Sequence, residues 1–283
     1  MHVLHLDSSI IGDESVGRRL SIPVVDRLSE ASPRPDGHLP GPRQTSLPHQ
    51  VLSELTDASP GADAASGIYD ATAIPTTDEI VGLKAARELD DAALRTIFLE
   101  ARTANGFLDY PVQRELLARA VELALLGPTS ANGLPLRLVF IESAEAKEKL
   151  RPSLRAGNLE KTMAAPVTAI IATDLKFYER FPRTFPDRGE TLKETLAAME
   201  PTVQREFAWD NAVLQMAYFI VALRSLGLDT GPMAGFDRKI VDTAFFPDGD
   251  WASQYLINIG YGDDGKLFPR LPRFNVDEIA RFA

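Results

Sequence analysis

The chain contains no cysteine, and its four histidines (His2, His5, His38 and His49) all lie within the first 49 residues. Disulfides, thiolate nucleophiles, iron–sulfur clusters and Cys-ligated zinc are therefore excluded. Residues 50–283 can supply neither a Ser-His-Asp triad nor a histidine-rich metal centre, so no metal site is predicted there. An enzyme built from these residues must rely on carboxylates, lysine, tyrosine or an organic cofactor.

Long apolar runs and basic clusters are also missing. The longest apolar stretch, 212–223, is interrupted by Gln215 and falls short of the roughly 20 residues that span a bilayer. The opening residues MHVLHLDSS lack the basic region and long apolar core of a signal peptide, which predicts a cytoplasmic protein. The formal net charge of -10, without a run of lysines or arginines, argues against nucleic-acid and membrane partners.

The chain of 283 residues, 45% of them hydrophobic, is long and apolar enough for one or two globular domains. A short strand is predicted at 3–11 and a helix at 14–28, before a stretch rich in proline and glycine at 30–67 that reads as a linker. We therefore predict an N-terminal segment with its linker at 1–83 and a main domain at 84–283.

The main domain has an α+β pattern, because its helices and strands do not follow regular βαβ spacing. The second half of the helix at 202–226, AVLQMAYFIVAL, is apolar on nearly every side, which predicts that this is the core helix and is covered all round. The other predicted helices are 90–104, 112–126, 143–154 and 237–245, and the predicted strands are 136–142, 167–173 and 254–261.

Four polar segments are predicted to be loops at the ends of these elements. They are ARTANGF (101–107), GPTSANGLP (127–135), AGNLEKT (156–162) and TGPMAGF (230–236). Taken singly, each is compatible with ordinary turn chemistry. Together they supply amide, hydroxyl and cationic donors with few carboxylates, which suits an acidic ligand such as a phosphorylated cofactor.

Five motifs in this order resemble the FMN-dependent nitroreductase family, most closely its malonic semialdehyde reductase branch. They are EARTANGFLDYPV, GPTSANGLPLRLVF, KEKLRPSL followed by AGNLEKTMAAPVTAI, LGLDTGPMAGFD, and NIGYGD followed by GKLFPRLPR. The resemblance implies a nitroreductase-like α+β fold with a mixed sheet wrapped by helices. It also implies an obligate homodimer that holds two FMN molecules in clefts between its subunits, with NADPH or NADH as hydride donor.

The resemblance implies which residues hold the phosphate and ribityl chain of FMN. Arg102, Thr103 and Asn105 match the family's opening motif for these groups, although Asn105 replaces the usual second basic residue. The phosphate charge would then rest more on Arg102 and Arg270, with Arg273 nearby in the tail. Without the resemblance, an ion pair in the tail is an equally good interpretation of Arg270.

The same resemblance places further residues along the flavin. Thr129, Ser130 and Asn132 match the loop beside the ribityl chain and flavin edge, and Leu134 stands where many relatives carry Gln. The segment that would lie against the isoalloxazine ring is Pro232, Met233, Ala234 and Gly235.

Two residues match the pair near the pyrimidine end of the flavin. Asn158 and Lys161 hold these positions, and Lys161 would act in catalysis as a fixed cation that stabilises the negative charge of reduced flavin. A solvated lysine at a helix end is the alternative interpretation.

The implied reaction is ping-pong hydride transfer through flavin N5 from NAD(P)H to a small electrophile. Malonic semialdehyde, reduced to 3-hydroxypropanoate, is favoured by the branch resemblance. Nitroaromatics and quinones are alternative substrates, and a flavin-binding protein without turnover is an alternative function.

The N-terminal residues HVLHLDSSIIGDESVGRRLS resemble the first strand, phosphate loop and first helix of FMN-dependent NADH azoreductases, which have a flavodoxin-like fold. Ser9 and Ser15 match hydroxyls of that loop, whereas Gly17 stands where the family has another serine. A single βα unit cannot bury both faces of its strand. The resemblance therefore implies a truncated, partial flavodoxin-like segment.

Overall fold

The computed structural model describes residues 87–283, and this part of the chain contains a four-stranded sheet. Its strands are β1 (Leu136–Ile141), β2 (Val167–Asp174), β3 (Asp229–Met233) and β4 (Trp251–Gly260). They lie in the order β1-β2-β4-β3, and each neighbouring pair is antiparallel. The α+β class is confirmed, but the prediction of a mixed sheet is wrong for the described residues.

The helices surround this sheet in chain order. They are α1 (Asp91–Leu94), α2 (Arg114–Ala124), α3 (Ala144–Leu150), α4 (Ala156–Ala164), α5 (Phe181–Thr184), α6 (Gly189–Ala197), α7 (Pro201–Ser225), α8 (Arg238–Phe245) and α9 (Val276–Ile279). The antiparallel pairing of β1 and β2 follows from their connection. Two helices rather than one join these strands, so β2 begins beside the end of β1, where Ile141 pairs with Thr168.

The sheet is covered on both faces, which explains why every residue of β2 is buried. Side chains alternate between the faces of a strand. Ile171 packs in a cluster with Leu117 of α2 and Phe219 of α7, whereas its neighbour Ile170 packs in a second cluster with Val241 of α8. Burying each of these side chains stabilises the fold by about 1.5 to 3 kcal/mol.

The predicted long helix is confirmed as α7, which runs from Pro201 at its first turn to Ser225 and is followed by Gly227 at a φ of 77°. Its buried side includes Phe219 and Leu223, but Tyr218 keeps 46% of its surface exposed. The prediction that apolar groups cover this helix all round is therefore not met by residues 87–283. Within that range, we find no helix with the combination of length and apolarity that membrane crossing requires.

The helix predicted at 90–104 is shorter than expected. Asp90 caps α1 by accepting a hydrogen bond from the N–H of Ala93 at 2.8 Å, and a π-helical turn, Arg95–Leu99, follows. The chain then becomes extended because its backbone pairs elsewhere: the N–H of Ala104 donates to the carbonyl of Thr230 at 2.9 Å. Tertiary hydrogen bonds thus override the helical periodicity of this segment.

The fourth strand was not predicted, because all of β3 except Asp229 lies in the segment 230–236, which was predicted to be a loop. It pairs with β4 through partners such as Pro232 and Ile257. It is an edge strand, and a proline is tolerated at a sheet edge because the N–H it lacks is not needed by a second neighbouring strand.

The remaining predicted elements of the main domain are confirmed to within a few residues, as α2, α3 with the 3-10 turn Arg151–Ser153, α8, β1, β2 and β4. Ser143 caps α3 and Asp237 caps α8, each by accepting a hydrogen bond from a first-turn N–H at 3.1 Å. The strand at 3–11, the helix at 14–28 and the linker at 30–67 lie outside the described residues.

Candidate functional site

The segment 101–107 lies beside the start of β3. Thr103 forms an isolated parallel bridge with Thr230, and the side-chain amide of Asn105 turns back to donate to the carbonyl of Thr103 at 3.4 Å. A Cβ at Gly231 would lie 2.7 Å from the carbonyl oxygen of Ala104, so only glycine permits this close approach of the two backbones. The predicted loop is thus an extended segment held against β3.

The C-terminal tail crosses the same segment. Arg102 donates a hydrogen bond to the carbonyl of Phe268, and Arg270 in turn donates to the carbonyls of Leu99 and Ala101, at 2.7 and 3.3 Å. Two of the predicted phosphate ligands therefore lie close together. Arg273 does not join them, because its guanidinium donates to carbonyls of its own tail at 3.0 Å.

Arg224 of α7 supplies a third guanidinium at this place. It donates to the carbonyl of Ile97 at 3.2 Å, and its Nε is buried without a partner in residues 87–283. Burial lowers the pKa of Arg224; Asp229 opposes that shift, and the positive charge of Arg270 adds to it. We call Arg102, Arg224 and Arg270 the arginine cluster.

The other end of β3 faces α4. The segment 156–162 was predicted to be a loop, and this is wrong, because it forms α4. The side-chain amide of Asn158 donates to the carbonyl of Gly235 at 2.9 Å, and a Cβ at Gly235 would lie 2.6 Å from that amide nitrogen. Asn158 and Gly235 are therefore in contact, and a side chain at Gly235 would require the amide of Asn158 to move.

Lys147 stabilises the far end of α4. Its ammonium donates to the carbonyls of Thr162, Met163 and Ala165, which are acceptors that the helix leaves free at its C-terminus. Burial lowers the pKa of Lys147 below its ordinary value. This contact helps to fix α4 and places Lys161, which is half-buried, in the last turn of that helix.

A buried polar network lies between α4 and the segment at Pro232 and Met233. Asn258 of β4 accepts from the hydroxyl of Thr168 at 2.8 Å and donates to the hydroxyl of Thr162 at 3.3 Å. That hydroxyl contacts the sulfur of Met233 at 3.6 Å. Met233 is therefore buried in the core, whereas the next residue, Ala234, is exposed.

The segment 129–134 has an unusual backbone, because Ala131, Asn132 and Leu134 all have positive φ angles, between 44° and 53°. Such conformations cost non-glycine residues on the order of 1 to 3 kcal/mol each and cluster at functional sites. Thr129 helps to hold the segment, since its hydroxyl accepts from the N–H of Leu134 at 3.3 Å. The side chain of Asn132 donates to the carbonyl of Thr184 at 2.7 Å.

The predicted residues thus fall into two groups. The first group lies around β3 and the tail and consists of Arg102, Thr103, Asn105, Asn158 and Arg270. The hydrogen bonds of Ser130 and Asn132 lead instead to α7 and α5. No hydrogen bond among residues 87–283 joins the segment 129–134 to the first group.

Residues 99–261 match the nitroreductase family, which is more than half of the chain. The chain belongs to the nitroreductase family. Solved structures share the fold. The Bacillus subtilis protein ydfN, described as a nitroreductase, is 22% identical with a TM-score of 0.62, and the match covers 69% of this chain and 100% of ydfN.

Two further nitroreductase-like structures match over a similar range. A nitroreductase family protein from Streptococcus pneumoniae is 25% identical with a TM-score of 0.59, and the match covers 66% of this chain and 100% of that protein. A protein from Exiguobacterium sibiricum, solved in complex with FMN, is 18% identical with a TM-score of 0.61, and the match covers 69% and 99% of the two chains.

Two residues of this candidate site were not predicted from sequence. Arg224 follows the apolar stretch 212–223 and belongs to none of the motifs. Asn211, buried in α7, accepts a hydrogen bond from the N–H of Ser130 at 2.7 Å. The sequence contained a signal for Asn211, because this polar residue lies in an apolar helix, four positions before Gln215. A buried amide in such a helix needs a hydrogen-bond partner. Gln215 follows the same rule, since it accepts from the N–H of Leu136 at 3.0 Å.

Asn211 anchors the strained segment, so Asn211→Ala should lower the free energy of unfolding by about 1 to 3 kcal/mol. The variant removes the acceptor for the N–H of Ser130. It also removes the side-chain amide that donates to the carbonyl of Phe207 at 2.8 Å in the wild-type protein. Urea unfolding at fixed protein concentration measures the change. Asn105→Ala is the control, because it removes an exposed amide contact, to the carbonyl of Thr103 at 3.4 Å, at a residue without a positive φ. Equal losses in the two variants would show that Asn211 has no special anchoring role.

Proposed function

We propose that this nitroreductase-family chain is an FMN-dependent NAD(P)H oxidoreductase that reduces a small electrophile. The observation that carries the proposal is the arginine cluster, in which three guanidinium groups converge on residues 97–102 and the tail of a chain whose formal net charge is -10. Each guanidinium has five N–H donors, so the backbone contacts leave donors for a phosphate. The FMN complex of the Exiguobacterium protein supports the same cofactor.

The residues around β3 fit a flat ligand that must approach the backbone closely. Gly235 leaves space beside Asn158 that a larger side chain would fill or would gain only by moving the Asn158 amide, and the hydroxyl of Thr230 is buried without a partner in residues 87–283. Buried hydroxyls are normally hydrogen-bonded, so this one indicates an absent acceptor or donor. We assign Thr103, Asn105, Asn158 and Ala234 to the same site.

FMN, when bound, supplies the hydride chemistry. The protein's part is to bind and orient it and to set the charge around it. Lys161 has a fixed helical position and provides a positive charge on the side of α4, which favours a ligand that gains negative charge.

A second copy of the chain completes the site in this proposal. The segment 129–134 lies apart from the arginine cluster, and large apolar side chains are exposed on both α7 and the tail. Tyr218 keeps 46% of its surface exposed, Phe268 70% and Leu271 74%. Exposed apolar groups of this extent are typical of an interface between subunits.

Malonic semialdehyde is the proposed substrate, with 3-hydroxypropanoate as product. The sequence motifs shared with that branch support it, and the cleft beside Ala234 leaves room for a small molecule. Nitroaromatics and quinones are the second candidates, since the family match covers nitroreductases in general.

The visible spectrum of the purified protein tests the proposal. We expect a flavin band, either as purified or after addition of FMN, which bleaches when NADPH or NADH is added without oxygen. The band should return when malonic semialdehyde is added. Absence of any bound flavin would contradict the cofactor assignment. A flavin band that neither nucleotide bleaches would support the alternative function, a protein that binds flavin without turnover. Bleaching that only nitro compounds or quinones reverse would reject malonic semialdehyde.

A further inference from the structure

A cleft of about 580 Å³ lies between the beginnings of α4 and α8. Its floor is formed by two short backbone segments that run side by side. The N–H of Arg155 donates to the carbonyl of Gly235 at 3.3 Å, the N–H of Asp237 donates to the carbonyl of Ser153 at 2.7 Å, and Leu154 bridges to Phe236 between them. Both helices therefore begin at the same place. Volumes of this size suit a cofactor fragment.

The cleft is positively charged although the whole chain is acidic. Arg155, Arg238 and Lys239 line it with one carboxylate, that of Asp237, which caps α8 through the N–H of Ile240 at 3.1 Å. Within residues 87–283, the side chains of Arg155 and Lys239 have neither a hydrogen bond nor an ion pair. The N-termini of two helices add positive partial charge to the same place. This combination favours an anion with more than one negative charge.

Arg238 has a fixed position at the cleft. Its guanidinium lies 5.0 Å from the centre of the Trp209 ring and donates to the carbonyl of Gln254 at 3.3 and 3.4 Å. These contacts use part of the guanidinium and leave other donors available. Arg238 is fixed by these contacts, whereas Arg155 and Lys239 beside it have no polar partner within residues 87–283. This arrangement of three cations suits phosphate binding.

We infer that this cleft binds the 2′-phosphate of NADPH, and that Arg155, Arg238 and Lys239 make the protein prefer NADPH to NADH. The inference rests on the proposed function, because Ala234, which lines the cleft, belongs to the segment assigned to the flavin. A hydride donor whose nicotinamide lies at that segment can extend its adenosine half along the same cleft. NADH lacks the 2′-phosphate, so it gains nothing from the three cations.

Direct binding of two probes tests the inference without turnover. Adenosine 2′,5′-bisphosphate carries the distinguishing phosphate and 5′-AMP does not, and calorimetry gives both dissociation constants with the purified protein. We expect the bisphosphate to bind at least about tenfold more tightly, since charge-assisted contacts to a dianion discriminate by this much or more. Equal binding of the two probes would overturn the inference.

Arg155→Ala/Lys239→Ala is the informative variant, because both residues are exposed and their removal breaks no hydrogen bond or ion pair within the described residues. It should abolish the preference for the bisphosphate and raise the KM for NADPH at least tenfold, while the KM for NADH changes less than twofold. Arg119→Ala/Lys193→Ala removes the same charge from α2 and α6 and is the matched control. A similar loss in this control would show a general charge effect and overturn the inference.

Flavin content separates this inference from the proposed function. Wild-type protein that binds FMN but does not distinguish the two probes would retain the oxidoreductase proposal and reject the phosphate site. Protein without flavin affinity that still prefers the bisphosphate, and loses this preference in Arg155→Ala/Lys239→Ala, would support the phosphate site and reject the oxidoreductase.

Discussion

Replacing Asp174 with alanine should lower the free energy of unfolding by about 3 to 5 kcal/mol, the range expected when one partner of a buried ion pair is removed. Asp174 ends β2, and its side chain is only 2% exposed. One carboxylate oxygen lies 2.5 Å from Nη2 of Arg137 and 3.3 Å from Nε of Arg180. The other oxygen accepts from the backbone N–H of Lys176 at 2.9 Å, which fixes the turn after the strand.

The cost arises mainly from the arginine that is left behind. The side chain of Arg137 is 19% exposed, and burial already lowers its pKa, with Asp174 acting in the opposite direction. Without the carboxylate, a largely buried positive charge loses its counter-ion. Urea unfolding, compared with wild type at the same protein concentration, measures the loss.

Glu148→Ala is the matched control, because it also removes a carboxylate from an arginine. Glu148 and Arg151 are 59% and 44% exposed, so their pair is screened by water and its removal should cost much less than the removal of Asp174. A similar small cost for Asp174→Ala would contradict a structural role for the buried pair.

The fold could be predicted from sequence where burial sets a clear period. β2 is an apolar run whose two faces are both covered, and α7 is long enough that its helical pattern is unambiguous. The prediction failed where backbone partners decide the structure. β3 contains Gly231 and Pro232, and it is a strand only because β4 supplies its hydrogen bonds.

The predicted loop at 156–162 failed for a related reason. Gly157 and Asn158 have weak helix propensity, and the segment therefore resembles a turn. In the structure, the ammonium of Lys147 satisfies carbonyls at the end of α4, and the side chain of Asn158 finds an acceptor at Gly235. Both contacts come from residues that are distant in sequence, so local pattern alone does not predict them.

The residues of the candidate site also divide into those that a local motif predicts and those that depend on contacts distant in sequence. Arg102 and Arg270 were expected from motifs, and the structure brings them to one place. Arg224 and Asn211 lie on the apolar α7, and their roles depend on which segments cross that helix. The match to the nitroreductase family, over residues 99–261, covers Arg102, Asn211 and Arg224 but not Arg270, and it does not by itself identify what these residues bind.

Arg102→Ala/Arg270→Ala should raise the dissociation constant for FMN at least about 100-fold, because each arginine–phosphate contact contributes roughly 1.5 to 3 kcal/mol. Both side chains also hold the tail against residues 99–102, so a loss of FMN alone would not separate phosphate binding from a positional role. Riboflavin lacks the phosphate and therefore separates the two.

If the cluster binds phosphate, fluorescence titration should show that the double variant loses affinity for FMN while its affinity for riboflavin changes less than about threefold. Arg95→Ala is the control, because this neighbouring arginine is exposed and paired only with Glu100 in residues 87–283, at 2.7 Å. It should leave both affinities unchanged. An equal loss of affinity for FMN and riboflavin in the double variant would assign Arg102 and Arg270 to positioning the tail. Removal of a phosphate contact cannot weaken the binding of riboflavin, because riboflavin has no phosphate.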